Sequence, residues 1–441
     1  MKIADGPSRL VPPSPPKPAA PEPASARAVV DTFERAPARL LSKLGVPNTA
    51  PDPIAAPAAC GPVDDLVDGV VELARRLGVG ARQLVGLVET AVAGLGESLR
   101  SEFLELLAEH APDLAAQVLR YGATADAAPS LTPVFQDLLL AARASDDPDL
   151  QQAAGAYLAA HFDDAQMVEQ CLLDDLRAGR TDDGFRSFLY GFFAALDAPD
   201  SHEAMELVRS AGLLDGFLAA TLRDENGDAV PAIVTEAVGR IMETGRLDVY
   251  AETLASIPIT VHDPATSGRS GSHHYNHGDD GVYLNGTATE ITGNDVGAVA
   301  SKLAHELFHA FAAHHGASPY SAVNEGMAIA ADRYALTDGS YNVAEMVYGT
   351  KNWYRDVRNP PKPDYELGTF EDADPKLRAL LEDLASRDSS GVAWDDTERL
   401  EQEYADYWEA IDRDQPWADW LAAAEAATRD MIVGRRPRRA D

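Results

Sequence analysis

The chain of 441 residues reads as mainly α: an all-α helical domain, then a small α+β domain in which a short sheet precedes further helices. Three observations predict this. Apolar residues recur at three- and four-residue spacings from about 62 to 255. Alternating, β-branched segments appear only after 255. Helical spacing then resumes and continues to about 433.

Residues 1–61 are set apart by proline: 14 of the 29 prolines fall within the first 62 positions. "PSRLVPPSPPKPAAPEPASA" cannot build a core and reads as a disordered tail or linker. Inside it, "ARAVVDTFERAPARLLSKLG" has a weak helical period, which fits a short docking helix or continued disorder.

In 62–255, "VDDLVDGVVELARRLG", "ARQLVGLVETAVAGLG", "SEFLELLAEH", "DLQQAAGAYLAAHF", "AQMVEQCLLDDLRAG" and "AIVTEAVGRIMETG" each predict an amphipathic helix. Several are followed by the glycine that commonly stops one. No fixed sequence period is present, so a plain bundle and a HEAT-like stack of paired helices both remain open. This region carries no identifiable chemistry; it is a scaffold or the surface for a protein partner.

In 256–433, "ASIPITVHD", "DGVYLNG" and "TATEITG" predict strands divided by turn residues. A long helix starts at Asn294 or Asp295, which can cap it, and Gly316 is placed to stop it. A second helix is predicted over 319–336, with Ser318 as cap and Pro319 as first residue. Residues 434–439, "GRRPRR", make a short basic tail in 434–441.

The formal net charge of -34 argues against nucleic acid and anionic membranes as partners. There is no run of eighteen apolar residues and no apolar N-terminal segment. The expected location is therefore cytoplasmic, or exported without a Sec signal peptide, with no transmembrane segment. Cys60 and Cys171 read as free thiols.

Eight of the 11 histidines lie between 262 and 315, and five site-forming residues fall within "HELFHAFAAHH". Residues i and i+4 share a helix face, so His305 and His309 can offer imidazole nitrogens to one metal ion. Glu306 can then act as base toward a metal-activated water. His315 stands where a third histidine ligand is sometimes found. However, "AFAAHH" favours continued helix, which puts His315 about 240° around and about 9 Å along the axis from His309. His314 also faces away, and both are placed to interact with the helix C-terminus. The alternative third ligand is Glu325 of "NEGMA". If the second helix returns antiparallel, Glu325 comes beside the histidine pair, and Gly326 permits close approach. A His₂Glu set leaves a fourth position open for water, as catalytic zinc sites do.

H-E-L-F-H followed by A-V-N-E-G-M-A resembles the gluzincin branch of zincin metallopeptidases, which includes thermolysin-like enzymes. The resemblance covers about 255–350, with its motifs confined to 305–328. It implies a zincin-like catalytic domain, bound Zn²⁺ on His305, His309 and Glu325, a protein or peptide substrate, and Glu306 as general base. It also implies a Tyr or His that stabilises the oxyanion. Tyr320, Tyr341, Tyr348 and Tyr354 are available, as are His273, His274 and His277; Tyr348 is expected to fill the role. "GVYLNG" is expected to form the edge strand along which a peptide could pair. The "HHYNH" loop with Asp279 and Asp280 offers a rival, less favoured metal site. Asp332 is read as either a supporting carboxylate for a ligand histidine or a surface charge. The leading function is zinc-dependent peptide hydrolysis. The alternatives are a secreted effector or toxin protease, and a non-catalytic protein-binding module that retains the fold.

Overall fold

The computed structural model describes residues 62–124, 132–269, 271–317, 322–336 and 373–386. The expectations for 1–61, Cys60, Tyr320, Tyr341, Tyr348, Tyr354 and the basic tail lie outside these residues. The chain divides into two compact units, Met1–Leu106 and Leu107–Asp441.

In the first unit, α1 (Pro62–Leu77) packs on α2 (Ala81–Val92). Val67, Val70, Leu84 and Leu87 are fully buried, as the helical spacing of the sequence requires. Asp64 and Asp65 open α1 and Arg75 and Arg76 close it, matching the helix dipole. The boundary between the units falls inside α3 (Glu97–His110).

The second unit continues with α4 (Pro112–Gly122), α5 (Thr132–Ala142) and α6 (Pro148–Ala160). Next comes α7 (165–177), interrupted by one π-helical segment, Glu169–Leu173. Then follow α8 (Asp183–Ala195), α9 (Ala198–Ser210), α10 (Leu214–Thr221), α11 (Ala232–Glu243) and α12 (Tyr250–Ser256). Aspartates start four of these helices. Asp147, Asp164, Asp182 and Asp197 accept from the backbone N–H groups of Leu150, Met167, Phe185 and Asp200. Cys171 is a buried free thiol, pushed up to about 12 by burial.

Three strands follow. β1 (Ile259–His262) leads to a short helix, α13 (Pro264–Ser267), and then come β2 (His274–Asn276) and β3 (Gly281–Asn285). The order is β1-β3-β2; β1 pairs with β3 in parallel and β2 pairs with it antiparallel. "GVYLN" is therefore the central strand, not the edge. Both of its sides are occupied, and the outer strand is "HYN" of the histidine-rich loop.

"TATEITG" is not a strand either. Asn285 Oδ1 accepts from Thr287 N–H at 2.9 Å and from the Thr287 hydroxyl at 2.7 Å, closing a turn. The chain then enters α14 (Thr289–Thr292), where the Thr292 hydroxyl donates to Ala288 O at 3.0 Å. Threonine's local hydrogen bonding overrides its β-propensity here.

The remaining elements are α15 (Val296–His314), α16 (Ala322–Leu336) and α17 (Pro375–Ser386). α11 and α12 pack against α15, so helices from before residue 255 form part of its bed. The described chain is mainly helical with one small sheet, as the sequence predicts. Among the described residues no helix is long and apolar enough to cross a membrane.

The tightest helix contact is α6 against α8. A Cβ on Gly155 would lie 2.1 Å from Phe188 O, and one on Gly191 would lie 2.1 Å from Gln152 O. Both contacts are to backbone, which cannot swing aside. Gly191→Ala is therefore expected to destabilise the fold by about 3 kcal/mol, read as a lower denaturation midpoint.

Candidate metal centre

α15 is set in place at both ends. Asp295 accepts from Ala298 N–H at 3.0 Å and is the cap; Asn294 precedes it at φ 55°. At the other end Gly316 takes φ 88°, a left-handed conformation that glycine adopts without strain. Its N–H donates to Ala313 O at 3.3 Å, and Ala317 N–H donates to Ala312 O at 2.8 Å. These two bonds make a Schellman stop. Leu303, Leu307, Phe308 and Phe311 are fully buried, each worth roughly 2–3 kcal/mol of burial.

α16 packs along α15, and the pairing shows its direction. Asn324 meets His309, Glu325 meets His305 and His309, and Asp332 lies near Ser301. Numbers rise on one helix as they fall on the other, so the helices are antiparallel.

This return assembles a triangle of donors. His305 Nε2 and His309 Nε2 are 3.2 Å apart. Glu325 places Oε1 3.2 Å from the first and Oε2 3.3 Å from the second. Tetrahedral ligands at about 2.1 Å from a zinc-sized ion are about 3.4 Å apart, so the spacing fits one face of such a site. His305, His309 and Glu325 are the one such group among the described residues that could hold a metal ion. The "HHYNH" loop does not form another there.

The charges of the triangle support one another. Burial opposes the charged forms of both His309 and Glu325. The Glu325 bond nevertheless raises His309 to about 9, and the two imidazoles hold the Glu325 carboxyl well below the usual range. Asn324, fully buried, completes the orientation: its Oδ1 lies 3.0 Å from His309 Nδ1. With Nδ1 donating to Asn324, Nε2 is the nitrogen turned toward the triangle and the one that would offer its lone pair to a metal ion. The motif "NEG" points to the glutamate as ligand, and its asparagine, one residue earlier, orients a ligand histidine.

Glu306 is 7% exposed, and its Oε2 accepts from Tyr275 N–H of β2 at 2.8 Å. Because the donor is backbone, residue type gave no hint of it. Glu306, His305 and Glu325 line a cavity of about 760 Å³ with Lys302, Ile329 and Asp332 among its other walls. Asp332 is partly buried, has one carboxylate oxygen without a hydrogen-bond partner, and is pushed upward chiefly by burial.

The other histidines do different work. His273 Nε2 pairs with Glu290 at 2.7 Å while its Nδ1 accepts from Asn285 N–H at 3.1 Å. Both ring nitrogens are thus engaged. His274 donates from Nδ1 to Ser272 O at 3.0 Å and stacks on Tyr283; His277 lies against the Tyr275 ring. His314 Nε2 bonds Asp280 at 2.9 Å, fixing the β2–β3 turn to the end of α15. His315 is the C-cap, but its ring addresses other elements: Nε2 bonds Glu252 of α12 and Nδ1 bonds Asp374 beside α17. Lys376 completes this cluster by bonding Glu252 and, at 2.6 Å, Phe193 O.

No family model matches the chain, and no curated protein or solved structure shows significant similarity to it.

Two outcomes follow from this geometry. Asn324→Ala is expected to weaken metal binding by about 10–100-fold, measured by competition with a chelator. For His315, burial lowers the pKa, but Glu252 and Asp374 outweigh it and the net shift is upward. A raised pKa means stabilisation present below the unfolded value and lost as pH rises through the folded one. His315→Gln should cost about 3 kcal/mol at pH 6. The gap from wild type should narrow steadily in alkaline denaturation series.

Proposed function

We propose that this chain is a zinc-dependent metallopeptidase, with His305, His309 and Glu325 as the metal ligands and Glu306 as the general base. The observation that carries the reading is the donor triangle with a second carboxylate beside it at the wall of an open cavity. Two imidazoles and one carboxylate are the donor set of a hydrolytic zinc site that keeps a position for water. The choice of zinc and of a peptide substrate rests on that donor chemistry and on the likeness of "HELFH" and "NEGMA" to gluzincin motifs.

Bound zinc supplies Lewis acidity that lowers the pKa of water and polarises a carbonyl. The chain's own residues do the rest. Glu306, held by Tyr275 N–H through one oxygen, has the other oxygen to take a proton from the attacking water. It then delivers that proton to the leaving amine. Asn324 keeps His309 in the tautomer that presents Nε2. The oxyanion donor chosen from sequence, Tyr348, lies outside the described residues and stays a proposal.

Purified protein should hold one zinc per chain by metal analysis. His305→Ala and Glu325→Ala should lose it, and His315→Ala should keep it. Glu306→Gln should retain zinc and lose about 10³-fold in peptide cleavage. Wild-type cleavage by Glu306→Gln, or full zinc occupancy in Glu325→Ala, would sink the assignment.

A further inference from the structure

Building on the metallopeptidase reading, we infer that Asp280 is a positioning residue for the base Glu306, acting through Tyr275 of β2. Tyr275 is engaged by its backbone and by its side chain. Its N–H donates to Glu306 Oε2 at 2.8 Å, and its hydroxyl donates to Asp280 Oδ1 at 2.8 Å. The Asp280 carboxylate also receives His314 Nε2, 2.9 Å from Oδ1 and 3.0 Å from Oδ2. His314 belongs to the same helix as Glu306, about 12 Å further along the axis of α15. β2 is thus tied to α15 at two points, directly at Glu306 and through Asp280 at His314. The path runs from Glu306 through Tyr275, Asp280 and His314 and closes along the helix.

The strand needs the second tie. β2 is three residues long and pairs only with β3, so its ladder leaves its placement against α15 to other bonds. Asp280 is built to supply one. It takes φ 50°, a left-handed conformation that Asp and Asn reach more readily than other side chains bearing a Cβ. The preceding carboxylate, Asp279, is occupied elsewhere, by Arg269 at 2.7 Å and Asn276 at 3.0 Å. The Asp280 side chain is about half exposed, at 52%. An exposed pair adds little to the stability of the whole fold. Its effect falls instead on where the Tyr275 N–H sits, and hence on which way Glu306 points. Proton transfer requires the base to stay within hydrogen-bond reach of the water, so a small displacement of the carboxylate slows the chemical step.

The test uses the full-length, zinc-loaded protein and, as substrate, the fastest-cleaved member of a randomised library of quenched fluorescent peptides. Asp280→Gly keeps the left-handed backbone and removes the carboxylate. Tyr275→Phe removes only the hydroxyl. Each should lower kcat about tenfold, with KM, zinc content and the denaturation midpoint nearly unchanged. Asp280→Asn should restore most of kcat, because one amide oxygen can accept from both the hydroxyl and the imidazole. The double variant Tyr275→Phe/Asp280→Gly should be no slower than Asp280→Gly, since both changes break one path. Wild-type kcat in both single variants, an Asp280→Asn variant as slow as Asp280→Gly, or losses that multiply in the double variant would overturn the inference while the metallopeptidase reading stands. Zinc-loaded wild type that cleaves no member of the library overturns that reading and this inference together.

Discussion

Glu325 reaches His305 and His309 because α16 returns antiparallel along α15, and the site depends on that contact. Two histidines one helical turn apart define only an edge; a third donor must come from another segment. The return starts at Gly316, where a left-handed residue ends α15. It is completed by apolar packing: Leu307, Phe308 and Phe311 on one helix and Met327, Ala328 and Ala331 on the other are fully buried. With both frames fixed, the electrostatics close the triangle. A half-buried carboxylate is costly alone, but two imidazoles at 3.2 and 3.3 Å offset its desolvation.

The far end of α15 is held by charge as well. His315 lies between Glu252 and Asp374, and Lys376 bonds Glu252 from beside the start of α17. Two cations meet two carboxylates, so the cluster is nearly neutral, and Glu252 is 3% exposed without being left unpaired. The eleven residues of "HELFHAFAAHH" therefore serve two ends. His305, Glu306 and His309 face the cavity, while His314 and His315 tie the helix to the β2–β3 turn, α12 and the segment before α17.

Much of this was legible because it follows from period and spacing. The helices of 62–255 are written in apolar recurrence, and His305, His309 and Glu325 in the i, i+4 rule plus a helical return. What the sequence concealed were effects of neighbours. "TATEITG" has strand-forming residues, but Asn285 and the threonine hydroxyls supply competing local bonds. "HHYNH" reads as polar loop, yet pairing with β3 makes it the outer strand. The partners of His315 sit 63 and 59 residues away along the chain, beyond any local pattern.

The groups that orient the site are themselves uncharged. Asn324 addresses His309 through an amide oxygen, and Tyr275 addresses Glu306 through a backbone N–H. Alternate N–H groups of an antiparallel strand point away from its partner. Tyr275 thus has its donor to spare while His274 and Asn276 flank it in the ladder. Neither group gains or loses a proton in the range where enzymes work. Under the proposed function, proton transfer would be confined to the residues that need it, and orientation would survive each change of charge. A carboxylate in place of Asn324 would add a third acid beside a triangle that already balances Glu325 against two imidazoles. An amide fixes the same tautomer without disturbing that balance, which is a physical reason for asparagine next to the ligand glutamate.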